Sequence, residues 1–153
     1  PLDRPKVKLG GGGGGCNISA TIGNLTLWTT RHRSGRTVVA SCDFLTDIGH
    51  VTPAGDRKAL GYTGGGPQWL VSELGIFDYD ATGSMRLRQL WPDVTVDDVR
   101  AATGFDLAIA EDVTVVEPPT AAELAAVRAL DPLGVRRSEF DAAELQRTFT
   151  ASD

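Results

Sequence analysis

Six consecutive glycines, residues 10–15, are the strongest constraint that this sequence places on its own folding. A run without side chains forms either a flexible linker or a loop that exposes backbone N–H groups to a ligand. A linker should separate two domains, yet only nine residues precede the run. No Gly-Lys-Ser/Thr follows it, and the acidic residue of a dinucleotide-binding fingerprint is absent. The context therefore favours a ligand loop of another kind.

Composition excludes several classes of protein. At 153 residues the chain has the size of one domain and enough length to bury a core. A formal net charge of −5 argues against a nucleic-acid partner, and no apolar run approaches the roughly 18 residues of a membrane-spanning helix. Cys16 and Cys42 lack the spacing of a metal site or a disulfide framework. We predict free thiols, no metal and a cytoplasmic location.

The first half of the sequence is typical of strands and loops. Residues 24–31 and 36–45 are rich in β-branched and aromatic side chains and flank the turn sequence HRSG, so they predict a β-hairpin. Residues 47–68 contain Pro, Gly and polar residues throughout and predict a long surface loop. Residues 69–80 and 85–92 predict two further strands.

The second half carries helix signals. Thr95 and Asp98 predict a helix start, and Gly104 stands where a left-handed C-terminal cap is expected. Thr120 and Glu123 form a capping-box pattern after two prolines, and a weaker helix is predicted over residues 138–147. Strands followed by helices favour a layered α/β domain.

Few side chains in the sequence point to chemistry by themselves. Arg31, His32, Arg33 and Arg36 cluster in an acidic protein, which fits either a solvated turn or an anion site for phosphate groups. Glu73 is the only glutamate inside a strand pattern, where burial could perturb it. With two histidines in the chain, neither a Ser/His/Asp set nor a metal cluster is predicted.

The order of the segments resembles a known family. The glycine run is followed by RHRSGRTV, DFLTDIGHVT and VSELGIFDYD, and then by LRQLWPDVTVDDVRAATGFD at residues 87–106. Together they resemble the second half of the β subunit of class I CoA-transferases, over residues 5–133. The downstream PPTAAELAAVRALDPLGVR is similar to glutaconate-type and steroid-catabolic β subunits.

The resemblance implies a fold and a division of the chain. The expected fold is α/β, a layered open sheet with helices packed on it, like a CoA-transferase β subunit that lacks its N-terminal part. Residues 1–133 would form the partial β-subunit domain, and residues 134–153 a C-terminal helix and tail. The implied partners are a CoA-transferase α subunit and, in one arrangement, a separate N-terminal β portion, without nucleic acid or membrane.

The resemblance also implies site residues. In the family the glycine loop lies at the CoA thioester, where a backbone N–H stabilises the oxyanion; by position, Gly13 and Gly14 are the catalytic candidates. No permanently bound cofactor is expected, since coenzyme A enters as the thioester substrate. The candidates for substrate and CoA contacts are Gly11, Gly12, Gly15, Asn17, Arg31, Arg33 and Arg36.

One feature of the family is absent. Family transferases attack the thioester with a glutamate upstream of the glycine loop, in a Glu-x-Gly context, and the nine residues before this run contain no Glu. Three functions stay open. The chain is part of a transferase whose glutamate lies elsewhere, part of a hydrolase that opens a cyclic β-ketoacyl-CoA ring without that glutamate, or a non-catalytic assembly subunit.

Overall fold

The computed structural model describes residues 11–52 and 54–140. A five-stranded sheet organises them, together with three α-helices, a small two-stranded hairpin and two 3₁₀ turns. The elements in chain order are α1 (Gly13–Thr21), β1 (Leu25–Thr29), a 3₁₀ turn (His32–Ser34), β2 (Val51–Thr52), β3 (Gly55–Asp56), β4 (Pro67–Ser72), β5 (Gly75–Tyr79), β6 (Met85–Leu90), α2 (Val96–Ala102), β7 (Ala108–Val115), α3 (Ala121–Leu130) and a second 3₁₀ turn (Val135–Glu139).

The main sheet is mixed and has the strand order β1-β4-β5-β6-β7. β1 runs parallel to β4, β5 is antiparallel to both β4 and β6, and β7 runs parallel to β6. Strands β1, β4 and β6 therefore point the same way. Their carboxyl ends, at Thr29, Ser72 and Leu90, meet at one edge of the sheet, which is where open α/β sheets bind ligands.

The apolar core lies between the sheet and α2. Leu74, Phe77 and Leu87 are fully buried on or beside the central strands, and Val99 of α2 is equally buried against them. Val38 contributes from the connection between β1 and β4. Because Val99 enters the core, burial of apolar surface holds α2 on the sheet.

The predicted hairpin over residues 24–31 and 36–45 is wrong in its second strand. β1 forms, but it pairs in parallel with β4, and residues 36–45 are irregular. The side chain of Val38 packs in the apolar core, and the Val38 carbonyl accepts a hydrogen bond from the N–H of Gly104 at 2.9 Å. The β-branched residues of this segment thus serve packing and not strand pairing.

The strand predicted over residues 69–80 is two strands, β4 and β5, joined by a tight turn. Glu73 lies in that turn, just after β4 ends, and not inside a strand. Gly75 is needed after the turn because an added Cβ would collide with the carbonyl of Gln89. The continuous apolar pattern hid the turn, since both strands are partly buried.

Gly104 is not the left-handed cap that the sequence predicts. Helix α2 closes at Thr103 in an extended conformation, and Gly104 is not among the residues with positive φ. A Cβ at position 104 would lie 2.6 Å from the backbone nitrogen of Ala40. Glycine is therefore required here by close packing of two backbone segments.

Other predictions are confirmed or fall outside the described residues. Both capping boxes form, at Thr95 with Asp98 and at Thr120 with Glu123. The strand predicted over residues 85–92 is confirmed as β6. The predicted loop over residues 47–68 contains the short strand pair β2 and β3. The sequence did not predict β7 or α1. Residues 141–147 of the predicted third helix lie outside the described residues. Over the described part of the chain, no helix has the length and apolar character needed to span a membrane.

Candidate active site

Helix α1 begins inside the glycine run. The first helical hydrogen bond runs from the N–H of Cys16 to the carbonyl of Gly12, at 2.9 Å. The N–H groups of Gly13, Gly14 and Gly15 precede that bond and so have no partner within the helix. Gly12 stands at the N-cap and supplies no side-chain cap. Three backbone donors therefore lie at the positive end of the helix dipole.

The backbone of this turn does not itself require glycine at its centre. Gly11 to Gly15 are all outside the set of residues with positive φ, and a Cβ added at Gly13 or Gly14 would meet nothing within 4 Å. Gly12 and Gly15 differ, since an added Cβ would lie 3.0 Å from Thr46 and 3.1 Å from Asp47. Among the described residues, nothing fills the space in front of Gly13 and Gly14.

The segment at Thr46 and Asp47 lies against the first turn of α1. The thiol of Cys16 donates to the carbonyl of Thr46 at 2.7 Å, and the Asp47 carboxylate lies beside Gly15. A carboxylate at this end of a helix is favoured by the dipole. Sequence reasoning missed both residues because about thirty positions separate them from the glycines, and no local pattern links the two segments.

Arginines follow the carboxyl end of β1. Arg31 precedes the 3₁₀ turn His32–Ser34, which closes at Gly35 with a φ of 66°. Arg31, Arg33 and Arg36 are all exposed, as an anion site requires. The guanidinium of Arg33 lies 3.9 Å from the Asp98 carboxylate, a distance at which an exposed ion pair contributes little stability.

His32 is fully buried in a hydrogen-bonded chain of side chains. The hydroxyl of Thr103 donates to the carbonyl of Val99 at 2.8 Å, so its oxygen must accept from His32 Nε2, 3.1 Å away. His32 Nδ1 then accepts from the Ser72 hydroxyl at 3.0 Å, and that hydroxyl accepts from the N–H of Leu74. These bonds place a proton on Nε2, so the neutral form of His32 is the Nε2–H tautomer.

The charge state of His32 agrees with this assignment. Burial lowers the pKa of His32 below its usual value; the Glu73 carboxylate opposes that change, and the Arg33 charge adds to it. A neutral imidazole therefore ties the end of β4 to the end of α2. Its role is to hold the arginine turn in place.

A groove of about 970 Å³ lies at the carboxyl ends of β1, β4 and β6. Trp28 and Trp91 are among its apolar walls, and Arg33 and Glu73 are among its polar ones. Glu73 Oε1 accepts from the backbone N–H of Arg33 at 2.7 Å, whereas its Oε2 is buried and has no hydrogen-bond partner among the described residues. The groove joins a large apolar surface to charged groups, as small-molecule sites do.

The structure brings some of the predicted site residues together and separates others. Arg33 lines the groove, and the glycines of residues 11–15, like the exposed Asn17, are not among its lining residues. His50 is structural, since its Nε2 lies 2.6 Å from the carbonyl of Pro67 and its ring packs on Tyr79. Within the described ranges, no group of three His, Cys, Asp or Glu side chains could hold a metal ion.

Curated relatives are about one-third identical to this chain over the residues that align. A 3-oxoadipate CoA-transferase subunit of Pseudomonas knackmussii is 34% identical over 130 residues, which are 84% of this chain and 49% of that protein. The cholesterol ring-cleaving hydrolase IpdB subunit of Mycobacterium tuberculosis is 32% identical over 141 residues, 91% of this chain and 55% of that protein. No family model matches.

Solved structures share the fold. Glutaconate coenzyme A-transferase from Acidaminococcus fermentans matches with a TM-score of 0.69 and 30% identity, over 82% of this chain and 48% of that one. Rhodococcus jostii IpdAB matches with a TM-score of 0.75 and 27% identity, over 93% of this chain and 56% of that one. The decarboxylase AibA/AibB matches with a TM-score of 0.65 and 26% identity, over 92% of this chain and 52% of that one.

The curated relatives and the solved structures agree on one type of protein. The chain is homologous to class I CoA-transferase β subunits over the part that it spans, and its sheet and helices have their fold. It spans about half the length of the curated relatives it matches. The relatives are named for three reactions, so the family by itself does not choose among transfer, hydrolysis and decarboxylation.

Proposed function

We propose that this chain is the β-subunit portion of a CoA-transferase that moves coenzyme A between an acyl-CoA thioester and a carboxylic acid. The observation that carries the proposal is the start of α1, where the N–H groups of Gly13 and Gly14 have no partner within the helix and no described residue would contact a Cβ added at either position. Relatives named 3-oxoadipate and glutaconate CoA-transferase support the reaction class. The task of this chain would be to bind the developing negative charge.

The chemical step would begin with attack on the thioester carbonyl carbon by a carboxylate outside the described residues, which turns the carbonyl oxygen into an oxyanion. The N–H of Gly13 or Gly14 donates to that oxygen, and one preorganised donor of this kind is worth roughly 3 kcal/mol in the transition state. The C–S bond then breaks, the CoA thiolate leaves, and an acyl anhydride remains. Attack by the thiolate on the anhydride carbonyl that belongs to the protein's carboxyl group gives a protein–CoA thioester and releases the first acid as its carboxylate. The acceptor carboxylate then attacks that thioester, and the same two steps in reverse yield the new acyl-CoA and restore the protein's carboxylate.

The remaining predicted contacts would hold the substrate. Gly11, Gly12 and Gly15 flank the donors, and Asn17 follows one turn along α1. Arg31, Arg33 and Arg36 would contact the CoA phosphates or the pantetheine arm; their exposure supports this, because accessible guanidinium groups pair with phosphate oxygens in bidentate fashion. Arg33 also borders the groove at the strand ends, which is wide enough for part of a thioester substrate.

The active enzyme would be a complex. An α subunit is the proposed partner, since the solved relatives IpdAB and AibA/AibB are named for two components. The attacking carboxylate would come from outside the described residues. Residues 1–133 would act as the β-subunit-like unit, with residues 134–153 as an appended segment, and coenzyme A would enter as substrate and not as a resident cofactor.

A second reaction has support of its own. The Mycobacterium tuberculosis relative that matches 91% of this chain is named a ring-cleaving hydrolase. In that reaction water would replace the acceptor acid, and the same glycine donors would stabilise the oxyanion. No covalent intermediate with CoA would then form on the protein.

One experiment separates these reactions. The chain is co-purified with the products of neighbouring genes and mixed with acyl-CoA thioesters, beginning with the 3-oxoadipyl and glutaconyl compounds, with and without an acceptor acid. We expect intact-mass spectrometry to detect a CoA adduct on a glutamate. Release of free CoA without acceptor and without adduct would instead establish hydrolysis. Absence of turnover in every assembled complex would contradict both enzyme functions and leave the assembly role.

A further inference from the structure

Arg57, which follows β3, is a buried cation whose hydrogen bonds all go to backbone carbonyls, and its guanidinium also lies over the Tyr62 ring, 5.8 Å from the centroid. The residue is 6% exposed. Its Nε donates to the carbonyl of Gly64, its Nη1 to those of Ile48 and Gly49, and its Nη2 to those of Ser19 and Ala20, at 2.6 to 3.2 Å. A guanidinium has five N–H donors, and here each one has a carbonyl acceptor. Only arginine has this set of donors in a rigid plane.

Two of those carbonyls belong to the last turn of α1. Ser19 and Ala20 lie among the final residues of the helix, whose carbonyls have no partner within the helix. A cation at this end also interacts favourably with the helix dipole. Arg57 therefore caps α1 at its carboxyl end and links it to residues 48–49 and to Gly64.

Little else fixes the direction of this helix. Ser19 is its only buried residue, and Ile18 is 51% exposed. Gly64 passes so close that an added Cβ would lie 2.6 Å from the carbonyl of Ile22, which adds backbone contact at the same end. At the opposite end, the segment at Thr46 and Asp47 is the one part of residues 22–52 and 54–140 seen to touch the glycine turn.

We propose that Arg57 is a positioning residue, which holds the carboxyl end of α1 so that the N–H groups of Gly13 and Gly14 point at the reacting carbonyl. The proposal rests on the proposed function of those glycines. A nine-residue helix is about 13 Å long, so a tilt of roughly 5° moves its first turn by about 1 Å. A misplacement of that size can cost about 100-fold in rate. Arg57 would thus affect the chemistry without touching the substrate.

The informative variant is Arg57→Lys in the complete complex. Lysine keeps the charge but presents three donors from one atom, so it cannot replace five donors that are spread over three nitrogens. We expect amide hydrogen exchange in residues 17–22 to become at least about 10-fold faster relative to β5 and β6, because α1 opens more easily. We also expect kcat to fall about 10- to 100-fold with KM changed by less than about 3-fold.

Two control variants separate positioning from loss of stability. Arg88→Lys makes the same chemical change at a surface ion pair with Asp112, and Leu87→Val weakens the fully buried core of β6. Both should leave exchange in α1 and kcat within about 2-fold of wild type. The proposal is overturned if α1 exchanges equally fast in Arg57→Lys and wild type, or if Leu87→Val lowers kcat to the same degree.

Amide exchange tests the anchoring of α1 by Arg57 independently of whether the complex acts on thioesters. If the wild-type complex turns over no thioester at all, the proposed function fails, and faster exchange in Arg57→Lys still supports anchoring of α1. If wild type is active and Arg57→Lys has normal kcat despite a loosened helix, the anchoring stands and the catalytic consequence is refuted.

Discussion

Helix α2 buries Val99 completely in the apolar core, whereas helix α1 buries only the small polar Ser19 and leaves Ile18 half exposed. α1 is held instead by hydrogen bonds from Arg57 and by backbone contact at Gly64. Apolar burial is non-directional and scales with area, while hydrogen bonds fix direction. The chain thus uses its core for stability and polar backbone contacts to aim the helix that carries the candidate donors.

The largest expected effect tests the apolar side of this comparison. Phe77→Ala empties a fully buried position and should lower the free energy of unfolding by about 3–5 kcal/mol. Ile22→Ala at the end of α1, where the side chain is 43% exposed, should cost less than about 1 kcal/mol. Urea denaturation monitored by tryptophan fluorescence measures both. Equal costs would show that α1 is packed as firmly as the core.

Gly13→Val should separate stability from activity. The added side chain meets nothing within 4 Å, so the free energy of unfolding should change by less than about 1 kcal/mol and the complex should assemble. Turnover should fall about 100-fold or more, because a β-branched side chain blocks approach to the donors. Steady-state kinetics and size-exclusion chromatography provide the readouts.

The matched control for Gly13→Val is Ala121→Val. Ala121 is the first residue of α3, as Gly13 is of α1, and it is exposed. Turnover should stay within about 2-fold of wild type. If Gly13→Val retains full turnover, the glycine turn has no part in the reaction.

Close contact at the far end of α1 predicts a stability effect. Gly64→Ala places a Cβ 2.6 Å from the carbonyl of Ile22 and should cost roughly 1–3 kcal/mol, because the two backbones must separate. Gly23→Ala, where an added Cβ meets nothing within 4 Å, is the matched control and should cost less than about 1 kcal/mol. Thermal denaturation distinguishes the two. A tolerated alanine at position 64 would mean that α1 moves freely there.

The sequence predicted local structure better than long-range pairing. Both capping boxes and β6 follow from local patterns, because their partners lie within a few residues or on one face of an element. β1 was predicted, but its parallel partner β4 lies about forty residues away across an irregular connection. Non-local pairing leaves no periodic signal in either segment, so the hairpin was the simpler prediction and was wrong.

The candidate site was predictable only in part. The glycine run and the arginines are visible in the sequence, and the family resemblance assigned them roles. Arg57 appears in the sequence as one charged residue in a polar loop, and nothing local relates it to the carbonyls of Ser19 and Ala20. Glu73 likewise acquires its contact with the Arg33 backbone only through the fold. A hydrogen bond to a backbone atom does not depend on which side chain the partner residue carries. The type of the partner residue therefore gives no sequence signal for such a bond.

Buried His32 makes stability depend on pH. Burial lowers its pKa in the folded state below the unfolded value of 6.5, so the unfolded chain binds the proton more readily. Stability should therefore be full above about pH 7 and decrease as the pH falls below 6.5, by at most about 1.4 kcal/mol per pH unit. Urea denaturation between about pH 7.5 and 5.5 measures the slope, above the range where most carboxylates titrate. His32→Gln should flatten it, and an equal slope in that variant would place the titrating group elsewhere.

The smallest expected effect compares two capping boxes of the same type. Thr95 of α2 and Thr120 of α3 each accept from an N–H three residues on, and α2 buries Val99 whereas no residue of α3 is buried. Thr95→Ala should lower the global free energy of unfolding by about 1 kcal/mol, since loss of this cap weakens a helix that belongs to the core. Thr120→Ala should leave global unfolding within about 0.5 kcal/mol and only accelerate amide exchange in α3, because that helix can fray while the core stays folded. Equal global costs would mean that α3 unfolds together with the sheet, which would require contacts beyond its own exposed surface.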